Sequence, residues 1–303
     1  MTEPFQDILK RDRDSLHRFL FEHFSVRGKL VRLDSAWQAV LERHPYPPAV
    51  RDALGEALAA SALLASTLKF EGMLTLQLRG EGPLKLLVAQ CTSRMTLRGM
   101  ATWSGDVEPG ALSSMTGDGQ LAVTIESESD QHRYQGIVPL EGNTLAECLQ
   151  GYFENSEQLP TRLWLTVDER ASAGMLLQRL PEERKNSIVD EDAWPRVVTL
   201  ADTLTDEELL ELSNRELLRR LFHEEDVRLF EPTPVSFRCG CSKQRVESLL
   251  RTLGQQEVRD IVAEHGAVEV RCEFCNKSYQ FDRVDTAGLF AGDDTGHTSK
   301  SVH

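Results

Sequence analysis

Four cysteines in two tight pairs constrain this chain more than any other feature. Cys239-Gly240-Cys241 is followed, thirty residues on, by Cys272-Glu273-Phe274-Cys275. Two close pairs of thiolates suit one tetrahedral Zn²⁺ with every corner filled, at Zn–S distances of about 2.3 Å. Each pair grips two corners, and the segment between must fold back to bring the pairs together. The second pair has the common C-x-x-C knuckle spacing. The first, C-x-C, is a tighter bite and departs from the plain zinc-ribbon pattern. The same residues also allow two disulfides, or four unrelated thiols. A thiol oxidoreductase using Cys272 and Cys275 would need a free dithiol near the start of a helix and no help from Cys239 and Cys241. A hydrolytic metal site fits worst, because four cysteines leave no open position for water.

With 303 residues there is room for two domains, or for one large domain and a small one. The net charge of -14 argues against non-specific nucleic-acid binding, which needs a basic surface. No apolar run is long enough to span a bilayer. Met1 to Arg18 is charged throughout and lacks the apolar core of a signal peptide. Six cysteines, four of them clustered, read as reduced thiols plus a metal, which places the chain in the cytoplasm.

Leu16 to Glu22 and Val26 to Leu33 suit strands, and the second ends at Asp34-Ser35, a helix N-cap signal. A short helix through Ala36, Trp37, Val40 and Leu41 stops at the prolines of residues 45–48. Ala49 to Leu68 is the strongest predicted helix, apolar on most of its surface and therefore buried on several sides. Strands follow at Met73 to Leu78, Pro83 to Gln90, Arg94 to Thr102, Gln120 to Glu126 and Arg133 to Val138. Gly80-Glu81-Gly82 lacks the spacing of a phosphate loop and reads as a hairpin turn. Thr144 to Gln158 is predicted helical, and Arg162 to Val167 with Ala173 to Leu180 close the domain as a strand pair.

Residues 181–231 hold fifteen acidic residues against seven Lys/Arg, about -8 of the total charge. Helices are expected over Trp194 to Leu204, Leu209 to Leu212 and Leu217 to His223, with a cap at Thr205 and a capping box from Ser213 to Glu216. Such short helices are marginal in water alone, so the segment must lie on a neighbour to stay ordered. It is either an ordinary acidic linker or a segment that folds conditionally. Beyond it, Ser242 to Leu253 and Gln255 to His265 read as helices, and Val268 to Arg271 and Tyr279 to Asp282 as short strands. This part is too small to be well stabilised by its core, and a structural zinc, at about 10–16 kcal/mol, supplies what is missing.

The expected fold class is α+β. A mixed α/β N-terminal domain with β-sheets packed on helices spans 1–180, and an acidic helical linker spans 181–231. A small C-terminal Cys₄ zinc domain spans 232–290, and a disordered tail 291–303. Cys91 and Cys148 read as buried small hydrophobes without a role. The scattered histidines form no ligand spacing with a cysteine pair.

Several stretches resemble the heat shock protein 33 family of redox-regulated bacterial chaperones. They are Phe237 to Ser242, Cys272 to Asn276 with Tyr279 to Asp282, Leu221 to Arg228, Leu63 to Gly72, Gly80 to Pro83 and Tyr152 to Gln158. The resemblance covers residues 13 to 290 and departs nowhere at the ligand positions. It implies a non-enzymatic holdase that binds unfolding client proteins without ATP. It implies one zinc per chain in the reduced form, on Cys239, Cys241, Cys272 and Cys275. By the same resemblance, oxidants convert these to Cys239–Cys241 and Cys272–Cys275 disulfides and release zinc. The linker then unfolds and the active form is a homodimer, with no nucleic-acid or membrane partner.

The residues are compatible with that mechanism. Zinc-held thiolates are primed nucleophiles, and a neighbouring thiol resolves a sulfenic acid to a disulfide. Disulfides between such close neighbours close only tiny loops and restrain the chain little. The first domain's apolar strands and the leucine-rich linker are both candidate client surfaces. The alternative is a constitutive zinc module acting as an adaptor without redox switching.

Overall fold

The computed structural model describes residues 12–127, 133–181 and 190–290. The expected tail and the stretch read for a signal peptide up to residue 11 lie outside these residues. The chain is α+β, as expected, and divides into two compact units between Arg238 and Cys239.

The first unit is organised around one helix. α1 (Ser35–Leu41) leads into α2 (Pro48–Ala65), where Pro48 occupies the first turn and 14 of 18 residues are buried. Pro is tolerated there because its missing N–H has no intrahelical partner to lose. Alanines and Gly55 on α2 admit close neighbours; a side chain at Gly55 would meet Val167.

Two sheets pack on this helix. The first runs β10 (Val227–Leu229), β1 (Ser15–Phe21), β2 (Val26–Leu33), β9 (Ser172–Arg179), β8 (Thr161–Val167), with β11 (Thr233–Pro234) also on β1. The second runs β12 (Ser236–Phe237), β5 (Thr96–Trp103), β4 (Leu84–Thr92), β3 (Gly72–Arg79), β6 (Gln120–Ser127), β7 (Arg133–Val138). Every pairing is antiparallel except β12 with β5. The β3–β4 connection is the hairpin turn expected at Gly80 to Pro83.

Strand alternation gives the first sheet two apolar faces. Leu16, Val31, Leu33 and Leu176 point into the core around α2. Phe19, Phe21, Val26, Leu30, Met175 and Leu177 point the other way. Three short helices cover that second face: α5 (Ala193–Ala201), α6 (Asp206–Glu211) and α7 (Asn214–Phe222). α3 (Leu112–Thr116) and α4 (Leu145–Tyr152) complete this unit before them.

Residues 193–222 of the acidic stretch are therefore docked. Val197, Ala201, Leu209, Leu217, Leu218, Leu221 and Phe222 are buried against the sheet. Capping boxes at Thr205/Glu208 and Ser213/Glu216 hold α6 and α7. The Asn214 N–H donates to Asp12 at 2.8 Å, Arg170 pairs with Glu211 at 2.8 Å, and Arg32 donates to the Leu210 carbonyl. Gly28 on β2 lies opposite Phe19, and a Cβ there would fall 2.0 Å from the Phe19 ring. Only glycine lets that ring lie across the strand toward the docked helices.

Two local expectations are corrected. Asp34 occupies the N-cap of α1 but its side chain makes no cap bond. The Asp14 carboxylate accepts from the Asp34, Ser35 and Ala36 N–H groups at 3.0, 2.9 and 2.8 Å instead, while Asp34 pairs with Arg32. The helix expected over Thr144 to Gln158 is α only to Tyr152. It then widens into a π turn, Phe153–Glu157, closed by left-handed Gln158.

Candidate metal centre

The second unit is built from α8 (Lys243–Leu253), α9 (Gln255–His265), the hairpin β13 (Val268–Arg271) with β14 (Ser278–Phe281), and α10 (Arg283–Phe290). Ser242 caps α8 by accepting from the Arg245 N–H, and left-handed Gly266 ends α9. Among the described residues its core has nine buried hydrophobic side chains, including Val246, Leu250, Val258, Tyr279 and Phe281.

All four predicted ligand residues meet at one end of this core. The Sγ atoms of Cys239, Cys241, Cys272 and Cys275 lie within 4.8 Å of one another. Cys239 and Cys272 are 3.6 Å apart, and Cys241 and Cys275 3.3 Å. A tetrahedron with Zn–S bonds of about 2.3 Å has edges of about 3.8 Å, so the spacing suits four thiolates around one ion. The four residues could thus hold a metal ion. All are thiols in the structure, and each is partly exposed.

Local geometry brings the pairs together. The Cys272–Cys275 knuckle turns back through Asn276, whose N–H donates to the Cys272 carbonyl at 2.7 Å. Asn276 has φ 59°, a left-handed conformation that asparagine tolerates better than most residues. The β13–β14 hairpin flanks this knuckle. In the other pair, a side chain at Gly240 would sit 3.0 Å from the Arg245 guanidinium, which places that cation against the C-x-C bite.

The sulfurs are not equivalent. Burial raises the pKa of Cys239, and raises that of Cys275 to about 12. Burial also acts upward on Cys241, but hydrogen bonds from Tyr279 and the neighbouring sulfurs outweigh it and bring that thiol to about 7. Tyr279 donates to Cys241 Sγ at 3.1 Å, and this bond, with burial, raises its own pKa to about 12. A divalent cation in the cluster would draw all four groups to thiolate.

Tyr279 had no role in the reading from sequence. The usable signal was strand alternation: residues 279 and 281 share the inward face of β14, and a buried tyrosine hydroxyl needs a partner. Cys91 and Cys148 belong to the first unit and are buried, and burial raises both thiol pKa values. They fit the reading as small hydrophobes. Among the described residues no helix is long and apolar enough to cross a membrane.

A model of the Hsp33 protein family matches residues 14–282. A 33 kDa chaperonin of Nitrosococcus oceani is 55% identical over 279 residues, covering 92% of this chain and 95% of the relative. A 33 kDa chaperonin of Azotobacter vinelandii is 50% identical over 296 residues, covering 96% and 99%. Among solved structures, the 33 kDa chaperonin (heat shock protein 33 homologue) of Thermotoga maritima shares the fold. The TM-score is 0.80 at 24% identity, over 93% of this chain and all of that one.

Proposed function

Because the chain belongs to the Hsp33 family and is thus a chaperone, we propose that it is a redox-regulated holdase of the cytoplasm. It would bind unfolding proteins and block their aggregation under oxidative stress. The observation that carries this reading is the thiol cluster, four sulfurs within 4.8 Å on a unit with a nine-residue core.

In this reading Cys239, Cys241, Cys272 and Cys275 hold one zinc per chain while reduced. Bound zinc would keep the sulfurs deprotonated and tie the two knuckles together. An oxidant such as hypochlorous acid takes two electrons from one sulfur, giving a sulfenic acid. A neighbouring thiolate attacks that sulfur, an S–S bond forms and hydroxide leaves. Two such events use four electrons and consume all four ligands. Family likeness supports the Cys239–Cys241 and Cys272–Cys275 pairing. The sulfur contacts of 3.6 and 3.3 Å instead run between the knuckles, 239 to 272 and 241 to 275, so the neighbour pairing goes with the knuckles parting.

Residues 181–231 act as the releasable linker. Leaving the first sheet, they would uncover Phe19, Phe21, Leu30, Met175 and Leu177 along with their own leucines. That is a contiguous apolar surface of the kind a promiscuous binder needs. The net charge of -14 helps keep it soluble. The active form is a homodimer in this proposal.

Light scattering of an unfolding client, before and after oxidant, tests the reading while a chromogenic chelator follows released zinc. Suppression only after oxidation, with about one zinc released per chain, supports it. Zinc retained, or released without any gain in suppression, leaves the constitutive zinc module.

A further inference from the structure

A cavity of about 170 Å³ opens between α2 and the second sheet, with apolar walls that include Leu76, Leu87, Leu121 and Met115. It is close in size to the cavity of about 150 Å³ that takes up benzene in a protein core. Asp52 and Glu56, one turn apart on α2, are the charged residues among the described lining, and both are acidic. Asp52 is engaged by the Arg51 Nε at 2.7 Å. Glu56 has no hydrogen-bond or ion-pair partner among the described residues. It keeps some surface, but burial, then repulsion from Asp52 and from Asp206 at the start of α6, raise its pKa to about 7.

A carboxylate lacking a counter-ion beside apolar walls is costly, and the group that relieves it is a cation carrying an apolar chain. An anion would meet the carboxylates of Asp52 and Glu56, and a neutral hydrocarbon would leave Glu56 unpaired. We propose that this cavity is a binding site for a small alkylammonium ion, with its chain among Leu76, Leu87, Leu121 and Met115 and its ammonium on Glu56. The site does not depend on the redox reading, and it draws on none of the cysteines.

Hexylammonium is the probe, with 1-hexanol and hexanoate as neutral and anionic matches. Isothermal titration calorimetry on the reduced full-length protein measures affinity, and chemical shifts of the Ala53 and Ala57 methyl groups locate it. Hexylammonium should bind at least tenfold more tightly than either match, and should shift both methyl groups. With Glu56 titrating near 7, affinity should fall about tenfold from pH 8 to pH 6, since the ionised fraction falls by that factor while the amine stays charged. Glu56→Gln should lose the preference for the ammonium over the alcohol. Ala53→Leu, which fills the cavity from α2, should abolish binding of both, and it serves if the first variant does not fold. Equal binding of hexanol, unchanged affinity in either folded variant, or shifts confined to other methyl groups would overturn the site.

Discussion

The Tyr279 hydroxyl donates to Cys241 Sγ at 3.1 Å, joining β14 to the C-x-C bite. Hydrogen bonds to ligand atoms orient and tune a metal site, and their loss costs about 10–100-fold in affinity. Tyr279→Phe keeps the buried ring and removes only the donor. Zinc should then pass to a competing chelator at about 10–100-fold lower chelator concentration. Retention equal to the parent would mean that the hydroxyl gives the centre no support.

A metal ion on the thiol cluster should matter more to the stability of the second unit than to that of the first. Nine buried residues form the second unit's core, whereas the first unit encloses two larger clusters. In small metal-bound modules, binding free energy is folding free energy. Stripping the metal from reduced protein should melt α8 and α9. Amide exchange should then accelerate across residues 243–265 and stay slow across α2. Continued protection of residues 243–265 would show that the thiol cluster is not what holds this unit.

Phe222 closes the docked helices onto the first sheet. It is buried, with ring centroids 6.4 Å from Phe19 and 5.1 Å from Phe21. Removing a buried phenylalanine side chain costs about 3–5 kcal/mol. Phe222→Ala should loosen the docking enough for the reduced, zinc-loaded protein to suppress client aggregation without oxidant. A variant that exposes residues 193–222 to protease yet stays inactive until oxidised would separate linker release from client binding.

Local pattern carried much of this architecture. The bounds of β2, β7, α9 and β13 match expectation because alternation, helical periodicity and glycine stops all act within a few residues. The cap at Thr205 and the capping box at Ser213 are legible for the same reason, though the reciprocal bond of Glu208 at Thr205 was not read. The thiol cluster is legible because tetrahedral coordination demands paired spacing. Long-range choices were hidden. Nothing near Asp34 shows that Asp14, twenty residues earlier, supplies the cap. Nothing within residues 227–237 shows that three short strands join β1 and β5. Nothing within β2 itself shows that Gly28 makes room for the Phe19 ring across it. Lys29, in the same apolar run, gave no sign that it would be enclosed.

Lys29 gives the sharpest pH signature. It is 3% exposed and donates to Ser66 Oγ at 2.8 Å. Burial, with repulsion from Arg27 and Arg18, lowers its pKa from 10.5 to about 6. Between those values the unfolded chain binds a proton at this site that the folded chain does not, so this group's contribution to stability rises with pH. The cost is largest below pH 6 and vanishes above 10.5. Glu56 has the opposite sign: its pKa rises from 4.5 to about 7, so its contribution falls across that window. Comparison of Lys29→Met with the parent isolates the lysine, because other titrations cancel. The variant should be the more stable at pH 6.5, and its advantage should shrink by about 2 kcal/mol by pH 8.5. Stability is read from urea midpoints of the reduced protein. Parallel profiles of variant and parent over that range would show that Lys29 keeps its proton in the folded chain, with the ammonium hydrated or paired and its charge never given up.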